Sequence, residues 1–300
     1  MSNDALAPIL AQIRQAMPGI PERDLDRFAA ALTRAAPYSP GPDAKPRDGV
    51  PRGTLTQVRF RRDGGAYPGV ARDVRVYVPV HKAGERLALM VFQDGARYLG
   101  PEAHATTVFD NLIATREMPP TVGVFVEPGE TGPGLPIYGG AGNRSTEYDS
   151  LGPAYADFLI EELLPEVTRS LPLADSREMR AICGLSSGGI CAFNAAWERP
   201  GYFSKVMSHC GSFVNIRGGH ALAPAVRREP AKPLRVFLQT GEHDLDIIFG
   251  GWTLANRELA GALAYRGYDH QLIVGEGGHS LGHGGAILPD ALRWLWRGTV

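Results

Sequence analysis

The stretch that decides the fold is RAICGLSSGGICAFNAAW, residues 180–197. Its first residues form an apolar run of the kind found in a strand that is covered on both faces. The glycine-rich segment 184–188 interrupts this run, and a second apolar stretch then continues to Trp197. Glycine permits the sharp turn that joins a buried strand to a helix, because side chains would collide there. The stretch therefore predicts a strand–turn–helix unit of an α/β protein.

Ser186 lies at the centre of a G-x-S-x-G pattern, with Gly184 two residues before it and Gly188 two residues after it. Such a turn holds the serine in a strained conformation at a helix N-terminus, where free N–H groups favour developing negative charge. Ser187 does not fit this frame, because Leu185 stands where it would need glycine. The pattern predicts Ser186 as a nucleophile and the Ser187 N–H as an oxyanion-hole donor. The alternative is an ordinary helix N-cap.

Strands and helices alternate along most of the chain. Apolar and alternating patterns predict strands at 55–62, 73–79, 87–93, 121–127, 178–183, 205–210, 234–240 and 270–275. Helical spacing predicts helices at 153–170, 253–266 and 286–297, besides the one that ends near Trp197. This alternation is typical of a mostly parallel central sheet with helices on both faces. The segment between Cys210 and Leu234 is too short for a large lid domain.

The N-terminal part of the chain has a different character. Residues 4–35 show helical spacing, and residues 36–53 are rich in proline, glycine and charge. We therefore predict an N-terminal helical arm with its linker at 1–53 and a catalytic domain at 54–300. The arm either covers the site, mediates dimer contacts or is a packed accessory helix pair.

Partners for Ser186 follow in the order of the α/β-hydrolase fold, with the acid after the nucleophile and the histidine last. The segment after strand 234–240 contains three carboxylates, of which we favour Asp244 over Asp246 and Glu242 because it lies in a tight turn three residues past the glycine. The loop after the last strand contains His279 and His283. We favour His279, because the two glycines before it let the loop reach over the sheet edge.

A metal site is the competing interpretation of the two histidines, which are four residues apart. Two histidines at this spacing need a helix to align them and further ligands to complete a site. Gly282, Gly284 and Gly285 argue against a helix there, and we see no cysteine or glutamate that completes a set. We expect no metal and no cofactor.

A second oxyanion-hole donor is expected in the loop after an early strand. The strand LALMVFQ ends at Gln93, and the backbone N–H of Gly95 or Ala96 in the following loop is the candidate. Four further side chains are candidates for the substrate pocket, together with the glycine-rich loop at 128–143: Arg97, Arg144, Trp252 and His209.

The overall composition excludes several classes of protein. The formal net charge is −1, and no basic patch points to a nucleic acid or to a membrane surface. No apolar run approaches the length of a membrane span, and no signal peptide is recognisable, so we expect a cytoplasmic protein. The three cysteines do not form a disulfide framework.

Five segments together resemble the putative-esterase family of α/β-hydrolases, which includes enterochelin esterases, esterase D and feruloyl esterases. They are VFQDGARYL, NRSTEYDSLGPAYADFLIEELLPEV, GLSSGGICAF, GEHDLD and GEGGHSLGHGGAILPDALRWLW, within about residues 70–298. The resemblance implies a Ser-His-Asp hydrolase of esters with Ser186, Asp244 and His279 at the motif positions. It also implies that Arg144 and residues 147–149 lie near the site or support its loops. Cys210 and His283 depart from the family pattern.

These observations lead to one expected function and two alternatives. We expect a serine carboxylic-ester hydrolase that forms an acyl-enzyme and acts on small to medium esters of polar or aromatic character. The alternatives are an acyltransferase with the same triad and a catalytically silent binding protein with the hydrolase fold. The expected partner is a small-molecule ester, and the sequence leaves a homodimer open.

Overall fold

A computed structural model describes residues 3–34, 37–132 and 143–299. Most of the glycine-rich loop at 128–143, a predicted pocket element, lies outside the described residues. The strands begin and end at β1 Thr54–Arg61, β2 Ala71–Val78, β3 Ala88–Gln93, β4 Thr121–Val126, β5 Arg180–Leu185, β6 Lys205–His209, β7 Arg235–Gly241, β8 Asp246–Ile247, β9 Gly250–Gly251 and β10 Asp269–Gly275.

Eight of these strands form one sheet in the order β1-β2-β4-β3-β5-β6-β7-β10. The six strands from β4 to β10 in this order pair in parallel, whereas β1 and β2 pair antiparallel at one edge. Every residue of β3 and β4 is buried, as their continuous apolar sequences predict for strands covered on both faces. The predicted mostly parallel sheet is therefore confirmed.

Helices cover both faces of the sheet, as predicted. The helices of the described residues are α1 Asn3–Ala16, α2 Glu22–Thr33, α3 Gly95–Leu99, α4 Ala105–Ala114, α5 Arg144–Tyr148, α6 Ala154–Asp157, α7 Leu164–Val167, α8 Ser187–Glu198, α9 Leu222–Arg228, α10 Trp252–Tyr265, α11 Gly282–Ala286 and α12 Leu288–Trp296. A π-helical stretch, Phe158–Leu163, joins α6 to α7. One apolar core lies between the sheet and α6–α10, and the second lies between the sheet and helices α4 and α12.

One local expectation is wrong. The glycines at 282, 284 and 285 do not prevent a helix, because α11 runs through all three. Close packing explains two of these glycines instead. A Cβ at Gly284 would lie 2.7 Å from Cδ2 of His209, and a Cβ at Gly285 would clash with the carbonyl of Glu102. The short helix is thus determined by its tertiary contacts rather than by its helix propensity.

The N-terminal helices α1 and α2 pack over the carboxyl edge of the sheet and form a third apolar cluster there. From the arm the cluster takes Ile13, Leu25, Phe28 and Ala31, and from the rest of the chain Val214, Leu245, Ile247 and Trp252. The connection between β6 and β7 holds a single 3-10 turn and α9. Among the described helices, none is long and apolar enough to span a bilayer.

Candidate active site

The predicted turn at Ser186 is present between β5 and α8. Ser186 has φ 61° and ψ −121°, a conformation that a non-glycine residue adopts only when its surroundings enforce it. A Cβ at Gly184 would clash with the backbone of Gly188, so glycine is required two residues before the serine. The Ser186 N–H donates to the carbonyl of His209 at 2.9 Å, which fixes the turn to the neighbouring strand β6.

Three residues predicted as a triad lie in one hydrogen-bonded chain. The Oγ of Ser186 lies 2.8 Å from Nε2 of His279, and Nδ1 of His279 lies 2.5 Å from Oδ1 of Asp244. Ser186 follows β5, Asp244 follows β7 and His279 follows β10, and these strands are parallel. Their carboxyl ends therefore meet at one edge of the sheet, which is why residues so distant in sequence converge.

Asp244 is held by groups other than the histidine as well. Its Oδ2 accepts a hydrogen bond from Oγ1 of Thr240 at 2.7 Å, and its Oδ1 accepts from the N–H of Leu245 at 2.7 Å. Burial acts to raise the pKa of Asp244, but the attraction of His279 and these hydrogen bonds outweigh burial, so the pKa is lowered. The carboxylate therefore stays ionised and can orient the imidazole.

The alternative acids and the alternative histidine have other partners. Asp246 pairs with Arg27 at 2.9 Å, and Glu242 forms an ion pair with Arg257. His283 stacks on Tyr38 with ring centroids 4.0 Å apart, and its Nδ1 lies 3.2 Å from the amide nitrogen of Gln239.

A cysteine lies beside the acid and the histidine of the predicted triad. Within the described parts of the chain, potential ligand atoms of Cys210, Asp244 and His279 all lie within 4.8 Å of one another. Burial is the main factor that raises the pKa of the Cys210 thiol.

The oxyanion-hole candidates lie at the N-termini of two helices. Ser187 is the first residue of α8, so its N–H has no acceptor within the helix. The Ala96 N–H donates to Oε1 of Glu127 at 2.6 Å, and burial raises the pKa of this carboxyl group. Gly95 is required by packing, because a Cβ there would lie 2.5 Å from Cα of Phe125.

A cavity of about 520 Å³ lies over these groups. Arg97 and Arg144, both predicted pocket residues, line it. Arg144 donates from Nε and Nη2 to the Asp94 carboxylate at 2.9 and 2.6 Å, so it also fixes the turn before α3. The described lining residues are Ile9, Phe28, Leu32, Asp94, Arg97, Glu102, Glu127, Pro128, Arg144, Ser145, Asp149, Leu185, Ser186, Ser187, Leu245, His279, Ser280 and Leu281.

Asp149 contributes a buried carboxyl group to this lining. It is 2% exposed, so its carboxyl group is almost fully removed from solvent. Burial raises its pKa, while Arg144 and the nearby hydroxyls of Ser187 and Ser145 act in the opposite direction. A carboxyl group in the lining of a cavity can also accept a hydrogen bond from a polar group of a ligand.

Two predicted pocket residues lie elsewhere. His209 is fully buried below α11, and its Nδ1 lies 2.9 Å from the hydroxyl of Tyr98. Burial lowers the pKa of His209 to about 3, so the ring is neutral. Trp252 is also fully buried and packs edge-on against His279, with ring centroids 5.9 Å apart. These two side chains support the site from behind rather than form the pocket wall.

Sequence reasoning missed Ser212, whose hydroxyl lies 3.2 Å from Oγ of Ser186. The indole Nε1 of Trp252 donates to the Ser212 hydroxyl at 3.0 Å, and the Ser212 N–H donates to the carbonyl of Ser186. The sequence feature that could have identified Ser212 is its position just beyond the carboxyl end of β6, the strand next to the one that precedes Ser186.

Comparisons with curated proteins identify relatives of this chain. It is 27% identical over 229 residues to the iron(III) enterobactin esterase of Dickeya dadantii (strain 3937), covering 70% of this chain and 48% of the relative. It is 27% identical over 180 residues to the protein of the same name from Escherichia coli O6:H1, covering 57% of this chain and 41% of the relative. The chain thus spans less than half the length of these curated relatives.

Solved structures share the fold. The enterobactin esterase of Shigella flexneri, solved in the presence of enterobactin, superposes with a TM-score of 0.71 at 21% identity over 88% of this chain and 64% of the other. A ferulic acid esterase from the fungus Anaeromyces mucronatus gives a TM-score of 0.63 at 14% identity over 88% of this chain and 98% of the other. This likeness and the sheet order establish the α/β-hydrolase fold that the sequence predicts.

The family model described as "Putative esterase" matches residues 65–295, which is most of the chain and includes all three residues of the hydrogen-bonded chain. The chain therefore belongs to this esterase family.

Proposed function

We propose that this protein hydrolyses carboxylic esters, with Ser186 as the nucleophile, His279 as the general base and acid, and Asp244 as the residue that orients the histidine. The observation that carries the proposal is the continuous chain from Ser186 Oγ through His279 to Asp244 at 2.8 and 2.5 Å. A serine hydroxyl is a weak nucleophile, and an adjacent base activates it by accepting its proton during attack. Membership of the esterase family supports the same reaction class.

The proposed reaction has two steps. Nε2 of His279 accepts the Ser186 proton as Oγ attacks the ester carbonyl, and the imidazolium then donates that proton to the oxygen of the leaving alcohol. An acyl-enzyme remains on Ser186. A water molecule next gives its proton to His279 and attacks the acyl carbon, which releases the carboxylic acid and returns the proton to Ser186. Asp244, with its lowered pKa, stabilises the imidazolium in both steps.

The oxyanion of each tetrahedral intermediate would accept hydrogen bonds from backbone N–H groups. We propose the N–H of Ser187 and, of the two earlier candidates, that of Ala96. Support comes from Glu127, a residue lining the cavity, whose carboxylate oxygen accepts from the Ala96 N–H at 2.6 Å. This N–H is therefore directed at a position that a negatively charged oxygen can occupy.

The proposed substrate is a small to medium ester with a polar part. A cavity of about 520 Å³ suits a ligand of that size. The lining of the cavity includes Arg97, Arg144, Glu127 and the buried carboxyl group of Asp149, which can bind hydroxyl or other polar groups. Curated relatives named as enterobactin esterases and structural neighbours named as ferulic acid esterases direct the choice of test compounds toward polar aromatic esters.

The test compares Ser186→Ala with Ser187→Ala, using p-nitrophenyl acetate and ethyl ferulate. We expect Ser186→Ala to reduce turnover by about 10³-fold or more. Ser187→Ala keeps the backbone N–H of residue 187, so it should retain most of the activity and controls for disturbance of the turn. A fully active Ser186→Ala variant, or wild-type protein without activity on any ester of a panel that varies both the acyl group and the alcohol, would contradict the proposal.

A further inference from the structure

The N-terminal arm, defined here as α1, α2 and Tyr38, contacts the loop that carries Asp244. Oδ2 of Asp24 accepts a hydrogen bond from the N–H of Ile248 at 2.8 Å. Nη1 of Arg27 donates to the carbonyl oxygen of Asp246 at 3.0 Å and to its carboxylate at 2.9 Å. The arm is thus attached to the acid loop by polar contacts as well as by the apolar cluster beneath α2.

The arm also contacts the loop that carries His279. The carbonyl oxygen of Ala31 accepts a hydrogen bond from the His279 N–H at 2.9 Å, and the hydroxyl of Tyr38 accepts from the N–H of Glu276 at 3.0 Å. A Cβ at Gly278 would clash with the Ala31 carbonyl, so this glycine is required because the arm lies so close. The arm is therefore part of the structure that surrounds the triad.

Apolar side chains of the arm form one wall of the active-site cavity. Ile9 from α1 and Phe28 and Leu32 from α2 line it, and Phe28 is only 7% exposed. Beside them are Leu245 from the acid loop and Leu281 from the histidine loop. This wall contrasts with the charged wall formed by residues such as Arg144 and Asp149.

We propose that Phe28 and Leu32 form an apolar subsite that selects the alcohol part of the ester. His279 must donate a proton to the leaving oxygen, so the alcohol lies on the histidine side of the reacting carbon. Ala31 of the arm is hydrogen-bonded to the His279 backbone, so the apolar wall of the arm lies on the histidine side as well. The subsite accepts a primary alcohol with an alkyl or aryl group. The inference depends on the proposed ester hydrolysis by Ser186.

The test uses two ester series. The alcohol series keeps an acetyl group and varies the alcohol through ethyl, butyl, hexyl and 2-phenylethyl, with acid release followed by a pH indicator. The acyl series uses p-nitrophenyl acetate, butyrate and hexanoate. In the wild-type protein we expect kcat/KM to rise by about fourfold per methylene in the alcohol series until the subsite is full.

Substitution of Phe28 should change selectivity in the alcohol series alone. Phe28→Ala should lower the hexyl-to-ethyl ratio of kcat/KM by about tenfold, and Phe28→Trp should exclude 2-phenylethyl acetate while ethyl acetate is still hydrolysed. Ratios in the acyl series should stay within about twofold of the wild type. If Phe28→Ala does not fold, then Phe28→Leu and Leu32→Ala serve in its place, with smaller shifts in the same direction.

Leu25→Ala is the matched control, because Leu25 is buried in the same helix and the same apolar cluster but does not line the cavity. It should lower the melting temperature without a change in either ratio. Unchanged alcohol ratios in the Phe28 variants, or a shift confined to the acyl series, would overturn the inference. If either outcome occurs while Ser186→Ala is inactive, the subsite inference fails but the proposed hydrolysis by Ser186 stands. An active Ser186→Ala would instead reject the hydrolytic mechanism itself.

Discussion

The backbone N–H of His279 donates to the carbonyl oxygen of Ala31 at 2.9 Å, so a residue of the N-terminal arm holds the main chain of the proposed catalytic base. Neighbouring Gly278 has no room for a side chain, because a Cβ would meet that same carbonyl. The position of His279 in the triad therefore depends on the position of the arm.

Gly278→Ala should lower kcat by about 100-fold, because a displacement of the catalytic histidine of about 1 Å has an effect of that size. Steady-state kinetics with p-nitrophenyl acetate provides the measurement. Gly282→Ala, at the start of the following helix α11, is the control, since a Cβ there meets only Oγ of Ser280 at 3.5 Å, an ordinary contact. Equal activities of the two variants would show that the arm does not position His279.

Asp244→Asn should reduce kcat by about 10⁴-fold, because an amide cannot hold the histidine tautomer that accepts the serine proton. Asp246→Asn should stay within about twofold of wild type, since Asp246 is exposed and pairs with Arg27 instead. The comparison of the two kcat values also decides between the two acids that the sequence left in competition. A larger loss of kcat in Asp246→Asn than in Asp244→Asn would contradict the assignment of Asp244 as the acid.

Ser212→Ala should lower kcat by about three- to tenfold, the value of one hydrogen bond. The Ser212 hydroxyl accepts from Nε1 of Trp252 and is left with its own proton to donate toward Oγ of Ser186. Loss of that contact leaves the nucleophile less well oriented while substrate binding is unaffected, so KM should not change. A change in KM with constant kcat would indicate that Ser212 contacts the substrate.

Glu127→Ala should raise kcat/KM by about tenfold, the value of a hydrogen bond to a charged group. The carboxylate of Glu127 accepts from the Ala96 N–H, and its removal frees that donor for the oxyanion. Arg75→Ala is the control, because Arg75 forms a long ion pair with Glu127 at 3.9 Å but does not line the cavity. A lower or unchanged kcat/KM in Glu127→Ala would contradict the Ala96 N–H as the second oxyanion-hole donor and would leave the N–H of Gly95 as the candidate.

Acid should destabilise the fold through His209. Burial lowers its pKa to about 3 in the folded state, against about 6.5 when unfolded, so the unfolded state binds more protons within that window. Its contribution to stability is complete above pH 6.5 and is lost as the pH falls toward 3, by about 1.4 kcal/mol per pH unit. Urea unfolding of wild type and His209→Gln at pH 7, 6, 5 and 4 should show a shallower decline in the variant. Parallel declines would contradict a buried neutral His209.

The extent to which sequence predicts this site depends on the range of the interactions involved. The strand–turn–helix at Ser186 was predictable because its glycines act locally. Asp244 and His279 were predictable because parallel strands bring their carboxyl ends together. In contrast, the burial of Trp252 at the start of α10 depends on the arm that packs over it, and the burial of His209 at the end of β6 depends on α11. No local pattern encodes either contact.

Helix α11 illustrates a second limit. Three glycines within five residues oppose a helix by propensity, yet α11 forms because only glycine permits the approach to His209 and Glu102. The role of the arm was equally hidden, since the amphipathic spacing of α2 shows that one face is buried but not what it covers. Contacts between segments more than 200 residues apart, such as that of Asp24 with Ile248, explain why.

The most direct test of the central claim is covalent labelling with a serine-directed fluorophosphonate, followed by intact-protein and peptide mass spectrometry. We expect one adduct per chain, located on Ser186, with none on Ser186→Ala and normal labelling of Ser187→Ala. Labelling of Asp244→Asn should be slowed by about 10⁴-fold, in step with its kcat. An adduct on Ser187, or on a serine outside the cavity, or a wild-type protein that stays unlabelled while it hydrolyses esters, would contradict the assignment of Ser186 as the nucleophile.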